Sequence, residues 1–207
     1  MAFVKKKTSE AVNEDERKRG RDCESLLAEL ESPRAIERRW AARDLTDFPQ
    51  ATAALVARLR REDDASVREI IFSTLTVLGD DIAVAGLVDC LKSEDASLRN
   101  EAIEAMKQLP DEVAPIMHGL LADTNPDVRI FAVNILESLR HPHVEAWLLE
   151  VIEHDTHVNV CATAVDLLVE VGSGAAQQPL LELKQRFPAE PYIQFAVDLA
   201  LKRIAAG

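Results

Sequence analysis

Residues 95–109, DASLRNEAIEAMKQL, decide how the rest of the chain is read. Asp95 opens the stretch, Arg99 follows four places later, and Leu98, Ala102, Ala105 and Leu109 fall on one helical face, since residues three and four apart share a side of an α-helix. The unit recurs as REDDASVREIIFSTLTVL before it and DTNPDVRIFAVNILESL after it. Arg68, Arg99 and Arg129 are separated by 31 and then 30 residues; a further step of 30 reaches Arg38 on one side and Asn159 on the other. Apolar positions travel with the anchors: Val67/Ile71/Leu78, Leu98/Ala102/Leu109, Val128/Ala132/Leu139 and Val158/Ala162/Val169. A fixed period holding two helices marks an α-solenoid, in which neighbouring hairpins bury one another's apolar faces.

Helix starts and stops are written in the same frame. Asp64, Asp95, Asn125 and Asp155 each precede an anchor position by four residues, and Asp or Asn there can accept hydrogen bonds from the unpaired amides of a first turn. Pro126 directly after Asn125 suits the first helical position. Pro49, Gly79, Pro110, Pro142 and Gly172 punctuate the chain between helices. The aspartate–arginine spacing has two readings: a ladder linking each arginine to an acid or carbonyl of its own or the next unit, or a surface i,i+4 pair worth only about 0.3–0.5 kcal/mol. Either reading is structural and gives Asp64, Arg68, Asp95, Arg99, Asn125, Arg129 and Asp155 no catalytic part.

The 207 residues carry a formal net charge of −12, 47% apolar residues, 4% aromatics and 7 glycines. This balance opposes nucleic-acid binding, which rests on Lys and Arg neutralising phosphates, and opposes anionic membrane surfaces. It favours a protein partner with a basic or neutral docking segment. Cys23, Cys90 and Cys161 form no CxxC pair and no even framework, as expected in a reducing cytoplasm. The opening MAFVKKKTSE lacks a signal-peptide core, and no apolar run approaches the ~18 residues of a membrane span. Residues 1–21 read as a flexible charged tail ahead of one elongated domain, 22–207. Lys5–Lys7 with Arg17–Arg21 form either a solvated arm or a dock for an acidic surface, the protein's own included. Leu26, Leu27 and Leu30 make an amino-terminal capping helix; Ile36, Trp40 and Leu45 face inward on the next. The expected architecture is all-α: five helical hairpins with a helix at each end.

DASVREIIFSTL, DASLRNEAIEAM and NPDVRIFAVNIL, each followed by a helix such as APIMHGLLAD, resemble HEAT repeats, most closely the short bacterial type shared with phycobilin lyase subunits. The resemblance covers residues 32 to about 205. It implies that the second helix of each hairpin lines a concave side. Positions pointing off the apolar stripe there form a candidate partner-binding row. The row is basic at one end (Arg58, Arg61), small in the middle (Gly86, Cys90, Gly119, with Asp89 and His118) and acidic at the other (Glu145, Glu150, Glu182, with Leu149). A glycine on an exposed helix costs about 1 kcal/mol relative to alanine. Gly86 and Gly119 therefore either let a partner's backbone approach or are unremarkable surface.

His141/His143 and His154/His157 lie ~16–20 Å apart along a helix and cannot share an ion, and no closed ligand set appears. The repeated His-Glu pairs of iron-binding HEAT-like hydroxylases are missing. Cys90 and His118, on adjacent second helices, could approach each other, or be a half-buried thiol and a surface imidazole. Trp40 and Trp147 are expected in the core. The chain thus reads as a non-catalytic interaction module, an adaptor or scaffold without cofactor. The resemblance also implies a second reading, a chromophore-attachment or chaperone-like maturation factor.

Overall fold

The computed structural model describes residues 21–139 and 141–206. Twelve α-helices and no strand occur among them: α1 (Cys23–Leu30), α2 (Ala35–Asp44), α3 (Thr52–Leu59), α4 (Ala65–Leu78), α5 (Asp81–Leu91), α6 (Ala96–Met106), α7 (Pro110–Leu121), α8 (Pro126–Leu136), α9 (Val144–His154), α10 (Val158–Val171), α11 (Gln177–Arg186) and α12 (Pro191–Ile204). Short 3₁₀ turns at Leu45–Asp47, Pro49–Ala51 and Gly174–Ala176 lead into the helices that follow. The order is five hairpins, α2/α3 to α10/α11, flanked by α1 and α12. The chain is an all-α solenoid of paired helices.

Contacts group the chain into two compact units, one ending at Gly86 and one beginning at Leu87, so the division falls inside α5. In the first unit α2 packs on α1 and α4, and α3 on α4. In the second, α6, α8, α10 and α12 pack in succession, while α9 packs on α10 and α11. Each core is aliphatic, with Leu26, Leu30, Leu55 and Ile71 in one and Met106, Met117, Ile135 and Leu168 in the other fully enclosed.

Local chemistry sets the boundaries. Asp64 accepts from the Ser66 and Val67 amides, Asp95 from Ser97 and Asn125 from Asp127, satisfying donors that a first helical turn leaves open. Pro110, Pro126 and Pro191 begin helices, where a missing N–H costs nothing; Pro110 is thus a start signal rather than a terminator. Gly79 ends α4 in the left-handed conformation at φ 57°, a region side chains avoid. Asp155 departs from the expected pattern. The N-cap of α10 is His157, and the Asp155 carboxylate receives the His157 amide at 2.8 Å together with Arg129.

Three of the four arginines reach back six residues to a carbonyl of the loop before their helix: Arg38 to Ser32 at 3.0 Å, Arg99 to Ser93 at 2.6 Å, Arg129 to Asp123 at 2.8 Å. Two also hold a carboxylate at the end of the following helix in a two-pronged grip. Arg38 binds Glu62 at 2.8 and 2.6 Å, and Arg129 binds Asp155 at 2.6 and 3.0 Å. In the last hairpin the corresponding place belongs to Cys161, not Asn159: its Sγ donates to the Asp155 carbonyl, again six residues back. Arg186 of α11 donates to the Ile152, Glu153 and Asp155 carbonyls and so closes the loop that lacks an arginine of its own.

Two of the three inward assignments on α2 and the turn after it change. Ile36 is 52% exposed, and Trp40 is half-buried with the Arg43 guanidinium 4.5 Å over its ring; Leu45 is buried as expected. Arg21, placed in the tail by the sequence, pairs with Glu29 and with Asp44 at 2.7 Å. Residues 1–20, with the rest of the expected tail, lie outside the described residues.

Candidate functional site

On the second helices of the hairpins the expected row breaks into closed and open stretches. Arg58 donates to Glu62 at 2.8 Å, and Arg61 grips Glu31 at 2.7 and 2.5 Å. Burial alone would raise the Glu62 carboxyl, but hydrogen bonds from Arg38 and Arg58 outweigh it and hold the group down at about 2. The basic end of the row is thus committed inside the molecule. Gly86 is buried rather than exposed. A Cβ there would sit 2.6 Å from a Val56 methyl, so this glycine exists for close helix packing. Cys90 is buried too, at 4% exposure, whereas His118 points to solvent. Asp89 is exposed.

The second unit is different. His118 and Gly119 on α7 are exposed, and nothing lies within 4 Å of a Cβ built on Gly119. Between α7 and α9 runs an open cleft of about 300 Å³ lined by His118, Asp123, Arg129, Trp147, Glu150 and His154. His118 Nδ1 and Glu150 Oε1 face each other across it at 3.5 Å. The walls hold their charges firmly. Asp123 lies below the usual carboxylate range because the Asn125 amide donates to it, and Lys92 adds an ion pair at 3.1 Å. Asp155 is pushed up by burial but pulled further down by Arg129. Glu150 faces the His118 imidazole. Trp147 is half-buried instead of core; the His141 ring stacks on it at 4.9 Å and 13°, and His143 meets both rings edge-on.

The remaining row residues are scattered. Glu145 accepts the Ser173 amide at 2.6 Å and thereby ties α9 to the next hairpin. Leu149 is half-buried, and Glu182 is exposed, receiving Gln178. Of the expected row, His118 and Glu150 line the cleft, and Gly119 is the exposed residue next to His118 on α7. Trp147, His154 and Arg129 also line the cleft: the apolar spacing of α9 hid the first, and the last stands in the wall already held by Asp155 and the Asp123 carbonyl. Among the described residues no group of three or more His, Cys, Asp or Glu side chains is placed to hold a metal ion. Among them too, no helix is long and apolar enough to cross a membrane.

These features define a class: α-helical repeat proteins built from successive helical hairpins. Residues 23–112 and 113–201 both match the family model of HEAT repeats, and the chain belongs to that family, of the phycobilin-lyase-like type. It is 32% identical over 152 residues to the bilin biosynthesis protein PecE of Mastigocladus laminosus, covering 70% of this chain and 56% of that protein. A Nostoc protein of the same description is 39% identical over 74 residues, 35% of this chain and 29% of that one. The chain therefore spans about half the length, or less, of these relatives. An archaeal HEAT-like repeat protein from Thermococcus onnurineus has the same fold, with a TM-score of 0.52 at 16% identity over 95% of this chain and 90% of that one.

Proposed function

We propose that this chain is a protein-interaction module whose α7–α9 cleft receives a cationic side chain from an extended or helical segment of its partner. One observation carries the reading. Glu150 and Trp147 share an open cleft whose other charges are already paired. An arginine or lysine entering there would lay its stem along the indole, and a cation near an aromatic face gains about 0.5–2 kcal/mol. Its head would reach Glu150 in place of His118. The open surface at Gly119 allows a partner backbone to pass close by. The net charge of −12 attracts a basic segment at longer range.

The test uses the full chain. Partner protein retained by the wild type should be lost with Trp147→Ala and with Glu150→Arg, and kept with Arg61→Ala. Retention unchanged by both cleft variants would overturn the proposal. The identity with PecE favours a second reading, in which the partner is a polypeptide undergoing attachment or handling of a bilin. Mixing the chain with a linear tetrapyrrole separates the two: a new, stable visible absorbance supports the second reading, and a colourless protein that still retains its partner supports the first.

A further inference from the structure

The last helix carries an exposed apolar stripe at positions that its counterparts keep buried or half-buried. Positions 32 apart correspond along the second unit: Val128, Val160 and Tyr192; Phe131, Thr163 and Phe195; Ile135, Leu167 and Leu199. Val128, Val160 and Ile135 are 0% exposed and Phe131, Thr163 and Leu167 are half-buried, whereas Tyr192, Phe195 and Leu199 stand at 54%, 65% and 44%. The opposite side of α12 is seated normally, with Ile193, Val197 and Ala200 fully buried. Three large side chains at i, i+3 and i+7 on a single ridge go beyond scattered surface apolarity.

Charge along α12 says what fits this ridge. Lys202 and Arg203 lie at its carboxyl end, with Arg203 also 3.3 Å from Glu170 of α10 in an exposed pair that it can exchange for another acid. At its amino end stand Glu190 and Asp166; the Asp166 carboxylate, on neighbouring α10, receives the Tyr192 hydroxyl at 2.7 and 2.8 Å. The surface is thus apolar in the middle, acidic at one end and net basic at the other, where two cations outnumber Glu170. We propose that it is an isologous interface, occupied by α12 of a second copy of this chain in antiparallel orientation. A two-fold axis in the contact plane sets Phe195 against Leu199 of the other copy and brings Arg203 of each over Asp166 and Tyr192 of the other. Such pairing closes on itself, whereas head-to-tail stacking on the same ridge would propagate. Two copies of charge −12 repel, but at 0.15 M salt a Debye length of about 8 Å confines that repulsion to charges near the seam.

Sedimentation equilibrium of the full chain from ~5 to ~500 µM tests it, a range suited to an interface at the small end of stable dimers. The wild type should show a monomer–dimer equilibrium. Phe195→Glu should leave a monomer with unchanged circular dichroism and melting temperature, since the side chain is exposed. Asp166→Arg and Arg203→Glu should each weaken the dimer at least tenfold, and the double variant should regain most of the loss, a recovery peculiar to an antiparallel pair. A monomer across the whole range overturns the proposal, as does a larger assembly, a dimer indifferent to Phe195→Glu, or a double variant no better than the single ones.

Discussion

The α3–α5 region and the α7–α9 region have the same place in their hairpins and opposite fates. In the first, Arg58 and Arg61 are gripped by Glu62 and Glu31, and Gly86 packs against Val56. In the second, His118, Gly119 and Glu150 are exposed around an open cleft. Residue type does not separate them, since both offer charge and a glycine. What separates them is whether a neighbouring side chain lies within reach to use up the charge or fill the glycine's space. A repeat array fixes where side chains point and leaves that second decision to each hairpin.

The comparison can be broken most forcefully at Glu62. Replacing it with alanine strands two arginines, one of them buried, and should cost about 3–5 kcal/mol in urea unfolding, as for other broken buried pairs. The same carboxylate makes stability fall in acid. Its folded value of about 2 lies below the ordinary 4.5, so its contribution is complete above pH 4.5 and disappears as pH drops towards 2. That contribution is about 3 kcal/mol at 1.36 kcal/mol per unit, and the Glu62→Ala protein should show a correspondingly flatter acid limb.

Gly86→Ala comes next. Its methyl meets Val56, a branched side chain with little freedom to yield. Overpacking of about 1–3 kcal/mol should exceed the helix-propensity gain of about 1 kcal/mol, leaving net destabilisation that Val56→Ala in the same chain reduces. On the other side of the comparison, Gly119→Ala meets open space. It should stabilise by about 0.5–1 kcal/mol, seen as a modest rise in melting temperature. Equal effects at the two glycines would erase the distinction drawn between the regions.

Most of the fold was legible because its signals are local: the capping acids at Asp64, Asp95 and Asn125, prolines at helix starts and a strict apolar period yield twelve helices in the right order. What escaped depends on partners distant in sequence. The destination of Arg38, 24 residues away at Glu62, follows from packing rather than spacing. Cys161 replaces an arginine with the same six-residue reach, and Arg186 supplies the missing cation from another helix. At the candidate site the sequence singled out His118, Gly119 and Glu150 as a surface row but sent Trp147 to the core, since periodicity cannot tell a half-buried rim from an interior. Gly86 failed for the converse reason: a glycine looks the same whether it makes room for Val56 or for water.

The most direct test of the central claim is site-specific photo-crosslinking in the full chain, with the crosslinker at residue 118 beside the cleft or at residue 57 on exposed α3. The account predicts a discrete adduct to the partner protein from position 118, abolished by Glu150→Arg, and none from position 57. An adduct from position 57 with none from position 118 would contradict it.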